Sequence, residues 1–214
     1  MDTNLTAART RAMTDAGHWR DEGLEAYLDR WARERPAKTA AVDGSGRYTW
    51  AELARAVDRV AHGLRAHGVE RGSVISCQLP NWNETVLVFL AALRLGAVVN
   101  PIPPTYRASE LRFMCGLLES QVAIVPAAFR GFRHAEMLAG LRPALPRLEH
   151  VFVARGEGPE GTRPFTTLTD QAWEARGRGG IQGGGGSHEF KGQAQIGPGP
   201  GRSRQGRQGR GQKD

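Results

Sequence analysis

Between residues 39 and 153 short apolar runs alternate with segments of helical periodicity, and this alternation leaves the chain few architectures. The runs Val74-Ile75-Ser76-Cys77-Gln78-Leu79, Ala97-Val98-Val99, Val122 to Val125 and His150 to Val153 have strand length and are mostly apolar. Between them lie helical segments after Asn81, over Ser109 to Glu119 and near Ala135 to Leu141. Strands that are apolar on both faces and joined by helices form βαβ units in a buried parallel sheet. The expected class is therefore α/β, with parallel-sheet layers covered by helices.

Local signals place the elements ahead of the first strand run. Leu24, Leu28, Trp31 and Ala32 recur at helical spacing, and Pro36 stops that helix. Ala40-Ala41-Val42 and Arg47-Tyr48-Thr49 flank the turn residues Asp43-Gly44-Ser45-Gly46, the pattern of a β-hairpin. Thr49 and Glu52 are spaced as a capping box for a helix with Leu53, Val57, Val60, Ala61 and Leu64 on its buried face and Gly68 as its stop. Asn81 and Glu84 are placed to cap the next helix, with the Asn81 side-chain oxygen as acceptor. That helix, Val86 to Leu95, is apolar nearly all round, as suits a helix between layers, and Gly96 closes it.

Composition matters chiefly at the C-terminal side. Residues 176–214 hold 14 of the 28 glycines. They also hold six Arg and two Lys against one Glu and one Asp, a net +6 of the whole chain's +7. The basic balance therefore belongs to this segment and not to a folded face. Its large apolar residues after Trp173 are Ile181, Phe190 and Ile196, too few to offset the entropy of ordering a glycine-rich chain. The expected organisation is a leader or helix over 1–22, a partial domain over 23–175, and a disordered Gly/Arg-rich tail over 176–214. So abrupt a change matches a GC-rich coding sequence read out of register, and a frame slip is expected between about codons 173 and 185.

Most motifs that tempt fail on context. Gly156-Glu157-Gly158-Pro159-Glu160-Gly161 spells G-x-G-x-x-G, but Thr162-Arg163-Pro164 opens no helix and both glutamates repel phosphate, so a surface loop is expected. His188-Glu189 lacks the second histidine of H-E-x-x-H, because position 192 is Gly. His62 and His67 are five apart on one helix and read as solvated surface. Cys77 and Cys115 sit in apolar contexts without C-x-x-C spacing, as buried thiols of a reducing compartment do. The tail's arginines, spaced by Gly and Gln, have only Phe190 for stacking, so nucleic-acid binding is expected to be weak and non-specific at most. Met1-Asp2-Thr3-Asn4 does not start a signal peptide, and the Val86–Leu95 run is too short to span a membrane. A cytoplasmic protein is expected.

Four blocks in order carry a family resemblance. They are Tyr48-Thr49-Trp50-Ala51-Glu52-Leu53, Gly68-Val69-Glu70-Arg71-Gly72-Ser73-Val74, Gln78-Leu79-Pro80-Asn81-Trp82-Asn83-Glu84 and Leu95-Gly96-Ala97-Val98-Val99-Asn100-Pro101. Thr105 to Phe113 follows through Glu110-Leu111. Together they resemble the adenylate-forming superfamily of AMP-forming acyl-CoA synthetases, luciferases and adenylation domains, over about residues 24–155. Ser73 stands where that family usually has Asp. The wording is most similar to the branch acting on short- or medium-chain and cyclohexanecarboxylate-type acids.

The resemblance implies a two-step ligase reaction. A small carboxylic acid attacks the α-phosphate of ATP, giving an acyl-adenylate and pyrophosphate, and the CoA sulfur then displaces AMP. ATP, Mg²⁺ and CoA are thus expected for a full-length member, and none of them for this chain. The family's phosphate loop, T-S-G-T-T-G-x-P-K-G, its Y-G-x-T-E motif, its ribose-binding Asp and its C-terminal-domain Lys have no match here. No catalytic, cofactor-binding or metal residue is carried over; Asn81, Glu84, Gly68, Gly72, Gly96, Pro101 and Pro103 read as scaffold. The expectation is an inactive N-terminal fragment of a ligase that self-associates through uncovered apolar surface. Two other readings stand beside it: a non-catalytic short form acting as an interaction module, and a nucleic-acid-associated protein using the tail.

Overall fold

The computed structural model describes residues 6–20 and 22–170. The expected disorder and frame slip of the tail lie outside these residues. A helix α1 (Ala7–Asp15) is capped by the Thr6 hydroxyl, which accepts from Arg9 N, and buries no residue. Helix α2 (Leu24–Glu34) follows, then a hairpin of β1 (Thr39–Asp43) and β2 (Gly46–Thr49), paired antiparallel. The capping box forms as read: Thr49 Oγ1 accepts from Glu52 N, and the Glu52 carboxylate accepts from Thr49 N at 2.8 Å. It opens α3 (Trp50–Ala66), which buries Leu53, Val57, Val60, Ala61 and Leu64.

The second sheet is wholly parallel. Its strands are β3 (Val74–Cys77), β4 (Val98–Pro101), β5 (Val122–Pro126), β6 (His150–Ala154) and the two-residue β7 (Arg163–Pro164). The order is β4-β3-β5-β6-β7, so β4 and β7 are the edges. The crossovers are α4 (Asn83–Leu95), α5 (Ala108–Leu117) and α6 (His134–Leu141). This is the expected α/β architecture.

Two apolar layers bury the two faces of the sheet. On one side α3 and α4, with Leu28 of α2, cover Ile75, Val122, Ile124 and Phe152. On the other, Leu111 and Cys115 of α5 and Ala135, Leu138 and Leu141 of α6 cover Ala123, Val125, Val151 and Val153. Successive residues of β5 thus serve opposite layers, as the pleat demands. Helix α4 packs between α2, α3 and the sheet, which accounts for its lack of a polar face. Its buried Arg94 is held by Asp29 and lies 2.8 Å from Asp58 Oδ1. Burial works against that charge, but Asp29, Asp58 and Glu25 outweigh it and raise the Arg94 pKa. Gly96 ends α4 in the left-handed conformation at φ 67°, which a side chain would resist.

Two local readings need correction. Asn81 does not cap α4: the N-cap is Trp82, and the first free amide, Asn83 N, donates to Asp43 Oδ2 of the hairpin at 2.7 Å. A carboxylate forty residues upstream displaces the local amide because the hairpin turn lies directly against the helix N-terminus, where negative charge is favoured. His67 is not solvated surface either. It caps α3 and sets its ring edge-on to Phe152 at 5.2 Å, because the end of α3 lies over β6.

Candidate functional site

In open parallel sheets the loops beyond the carboxyl ends of the strands are where ligands are met. Here those loops are residues 78–82 after β3, 102–107 after β4, 127–133 after β5 and 155–162 after β6. Arg155 organises one half of this rim. Its Nε donates to Glu84 Oε1 at 2.8 Å, and its Nη2 donates to Glu84 Oε2 at 2.7 Å, to Ser45 Oγ at 3.0 Å and to Asp43. The guanidinium also lies 4.1 Å from the centre of the Trp82 ring. Glu84 therefore serves as the partner of a distant arginine and not as a local cap.

The electrostatics follow from these contacts. The Glu84 hydrogen bond, joined by Asp43, raises the Arg155 pKa against the cost of burial. Burial also works against the Asp43 charge. Donors from the Ser45 hydroxyl, the Asn83 and Ser45 amides and Arg155 outweigh it and hold this carboxyl well below the usual carboxylate range. The cluster is a closed ion-pair knot of one cation and two carboxylates. Arg155 is thereby committed to carboxylates already present.

The other half of the rim is built from buried amide and imidazole groups. Gln78 Nε2 donates to the carbonyls of Pro103 and Tyr106 at 3.1 and 3.0 Å, which fixes the loop after β4. Gln78 Oε1 is buried without a partner. The buried His134 places Nδ1 3.0 Å from Phe132 O and Nε2 2.9 Å from Pro104 O, tying the loops after β4 and β5 together. A cleft of about 370 Å³ lies beside the knot, lined in part by Tyr48, Asn83, Glu84, Phe165 and Thr166.

The sequence motifs find their places around this rim. Gly156, Gly158 and Gly161 form the loop after β6, which runs into β7 and opens no helix. Gly156 is required sterically: at φ 141° a Cβ would meet the Ala127 Cβ at 2.6 Å. Both cysteines are buried, and burial pushes Cys77 up to about 12 and raises Cys115, so neither is an activated nucleophile. Among the described residues no three His, Cys, Asp or Glu converge as a metal site. Arg155 was invisible to spacing arguments because its contacts with Asp43 and Ser45 span 110 residues or more; Asp43-Gly44-Ser45 signalled only a turn.

The family model for the AMP-binding enzyme matches residues 28–193. This chain belongs to the AMP-binding enzyme family. Its C-terminal limit falls inside the segment that composition sets apart. The medium-chain fatty-acid–CoA ligase of Escherichia coli is 33% identical over 144 residues, 67% of this chain and 25% of that protein. The 2,3-dihydroxybenzoate-AMP ligase of Bacillus subtilis is 32% identical over 156 residues, 66% of this chain and 29% of its own. Among solved structures, apo MbtA of Mycobacterium smegmatis superposes with a TM-score of 0.70 at 31% identity, covering 79% of this chain and 31% of that one. The chain thus spans between a quarter and a third of the length of these relatives. The described part is the N-terminal portion of the adenylate-forming fold. No helix among its described residues is long and apolar enough to cross a membrane.

Proposed function

We propose that these residues are the N-terminal scaffold of a carboxylic acid ligase that activates its acid as an acyl-adenylate and passes it to a thiol. The observation that carries this reading is the family match together with the knot and clamped loops at the carboxyl ends of β3, β4, β5 and β6. In this reading the scaffold sets the rim on which phosphate chemistry is assembled, and the 214 residues alone do not adenylate. Arg155 is neutralised by Glu84 and Asp43, and no T-S-G-T-T-G-x-P-K-G loop occurs in the sequence. In the whole ligase ATP and Mg²⁺ supply the adenylyl group, and a thiol such as that of CoA accepts the acyl group. The substrate is a small acid of the acyl or aryl class, since the relatives include a medium-chain fatty-acid–CoA ligase and a 2,3-dihydroxybenzoate-AMP ligase. The protein works in the cytoplasm in this reading.

The test is in the gene. Read in the two alternative frames downstream of about codon 173, the DNA is expected to encode an apolar strand and then a loop close to T-S-G-T-T-G-x-P-K-G. The protein made in that frame is expected to release pyrophosphate with one of a panel of straight-chain, cyclic and aromatic acids. The absence of such a loop from both frames would remove the frame-slip account.

A further inference from the structure

The loop that leaves β6 runs back beside the same strand, and arginine side chains fasten it at three points. Arg155 at its head is held in the knot by Glu84 and Asp43. Arg142 Nη1 donates to Gly161 O at 2.9 Å and Arg142 Nη2 to Glu149 O at 3.4 Å, tying the far end of the loop to the residue before β6. Arg163 of β7 places Nη1 3.1 Å from Nδ1 of His150, the first residue of β6. These ties matter because β7 offers little backbone. It has two residues, pairs with Phe152 and Val153, and its Pro164 has no N–H.

The third tie differs chemically from the other two. A guanidinium only donates, so Nδ1 of His150 is the bare nitrogen of a neutral ring, and the one N–H left to that ring is at Nε2. Backbone carbonyls accept from Arg142 and carboxylates from Arg155, whereas an imidazole ordinarily changes charge between pH 5 and 8. The surroundings keep the ring neutral. Burial acts first, then the charge of Arg163, then the His67 imidazole, whose ring centre lies 5.2 Å away at the end of α3; together they lower the His150 pKa. Glu149 and the His67 carbonyl act the other way and are outweighed. The other elements packed here add no charge: Val122 of β5 pairs with His150, and the turn Phe165–Leu168 holds no titratable group.

We propose that His150 is an acid-sensitive latch on the loop after β6: the neutral ring holds Arg163 and with it β7, and a proton on Nδ1 releases them. That proton removes the lone pair to which Arg163 donates and leaves two cations facing each other. Since the folded value lies below the ordinary histidine value of about 6.5, the latch is fully closed above that pH and is lost as pH falls through the folded value. The chain on either side stays anchored, by Arg155 in the knot and by the buried Phe165 and Leu168. What loosens is the stretch between them, so the latch gives one half of the rim a pH-dependent segment.

Hydrogen exchange of the 214-residue chain, read residue by residue by NMR at pH 7.5 and pH 5.0, tests this. After correction for intrinsic exchange, protection of the Thr162 and Arg163 amides is expected to fall about threefold or more at the lower pH, with Ile124 of β5 unchanged. The His150 ring resonances of the same chain are expected to titrate with a midpoint below about 6.5, a readout independent of any variant's folding. His150→Asn sets a non-titrating amide oxygen near the place of Nδ1 and is expected to give equal protection at both pH values. His62→Gln on α3 is expected to leave the pH dependence as it is. A His150 midpoint at or above 6.5 overturns the proposal. So does protection at Thr162 and Arg163 that does not change with pH, a loss that persists in His150→Asn, or a loss shared equally by Ile124.

Discussion

Arg155 joins three parts of the chain that are remote in sequence: the hairpin turn through Asp43 and Ser45, the first turn of α4 through Glu84, and its own loop after β6. Asp43 is the more exacting member, since it accepts from Ser45 N, Ser45 Oγ, Asn83 N and Arg155 together. Asp43→Asn is expected to cost roughly 2–3 kcal/mol at neutral pH, the range for hydrogen bonds to a charged group. The cost has a definite pH dependence. The carboxyl is held low in the fold, so its contribution is full above the ordinary aspartate value of about 3.9 and disappears as pH falls through the folded value. Urea midpoints of the two proteins are expected to converge as pH drops from about 4 toward 2. A gap of the same size at pH 7 and pH 2.5 would show that the charge of Asp43 contributes nothing. None of this knot was legible in the sequence, because ion pairs between residues 43, 84 and 155 have no local spacing signature.

At the scale of elements, signals that lie within one turn were readable and signals from across the fold were not. The Thr49 and Glu52 capping box, the buried face of α3 and the glycine stop of α4 depend on neighbours in sequence and appear where they were expected. The Asn81 cap was equally well spaced but was displaced by a stronger acceptor from the hairpin. These two sites separate experimentally. Thr49→Ala is expected to lower stability by about 1 kcal/mol, the usual worth of an N-cap. Asn81→Ala, at an exposed position without a capping role, is expected to stay within about 0.5 kcal/mol of the unmodified protein. Equal losses at both positions, measured by denaturant titration, would restore Asn81 as the cap. Strand ends blur for a related reason: Gln78 still donates its amide to Ile124 O at 2.9 Å beyond the last residue of β3. Its side chain then turns to the loop after β4, a role that an apolar strand run does not announce.

For the whole molecule, periodicity named the layers but not their order. The alternation of short apolar runs with helices implied a parallel sheet, whereas the place of β3 between β4 and β5 has no signature in the sequence. The two-residue β7 carried no strand signal, since Arg163-Pro164 earns its place only by pairing with Phe152 and Val153. The family was legible from a different source, the ordered blocks between Tyr48 and Pro101, which the family match then bore out. In the function proposed above, those blocks build a frame for phosphate chemistry that does not perform it alone. Pyrophosphate release measures that claim most directly, with the purified 214-residue chain given ATP, Mg²⁺, CoA and straight-chain, cyclic and aromatic carboxylic acids. The account predicts release no greater than from a heat-treated control with every acid. Release that follows the protein through purification and is lost on heating would contradict it.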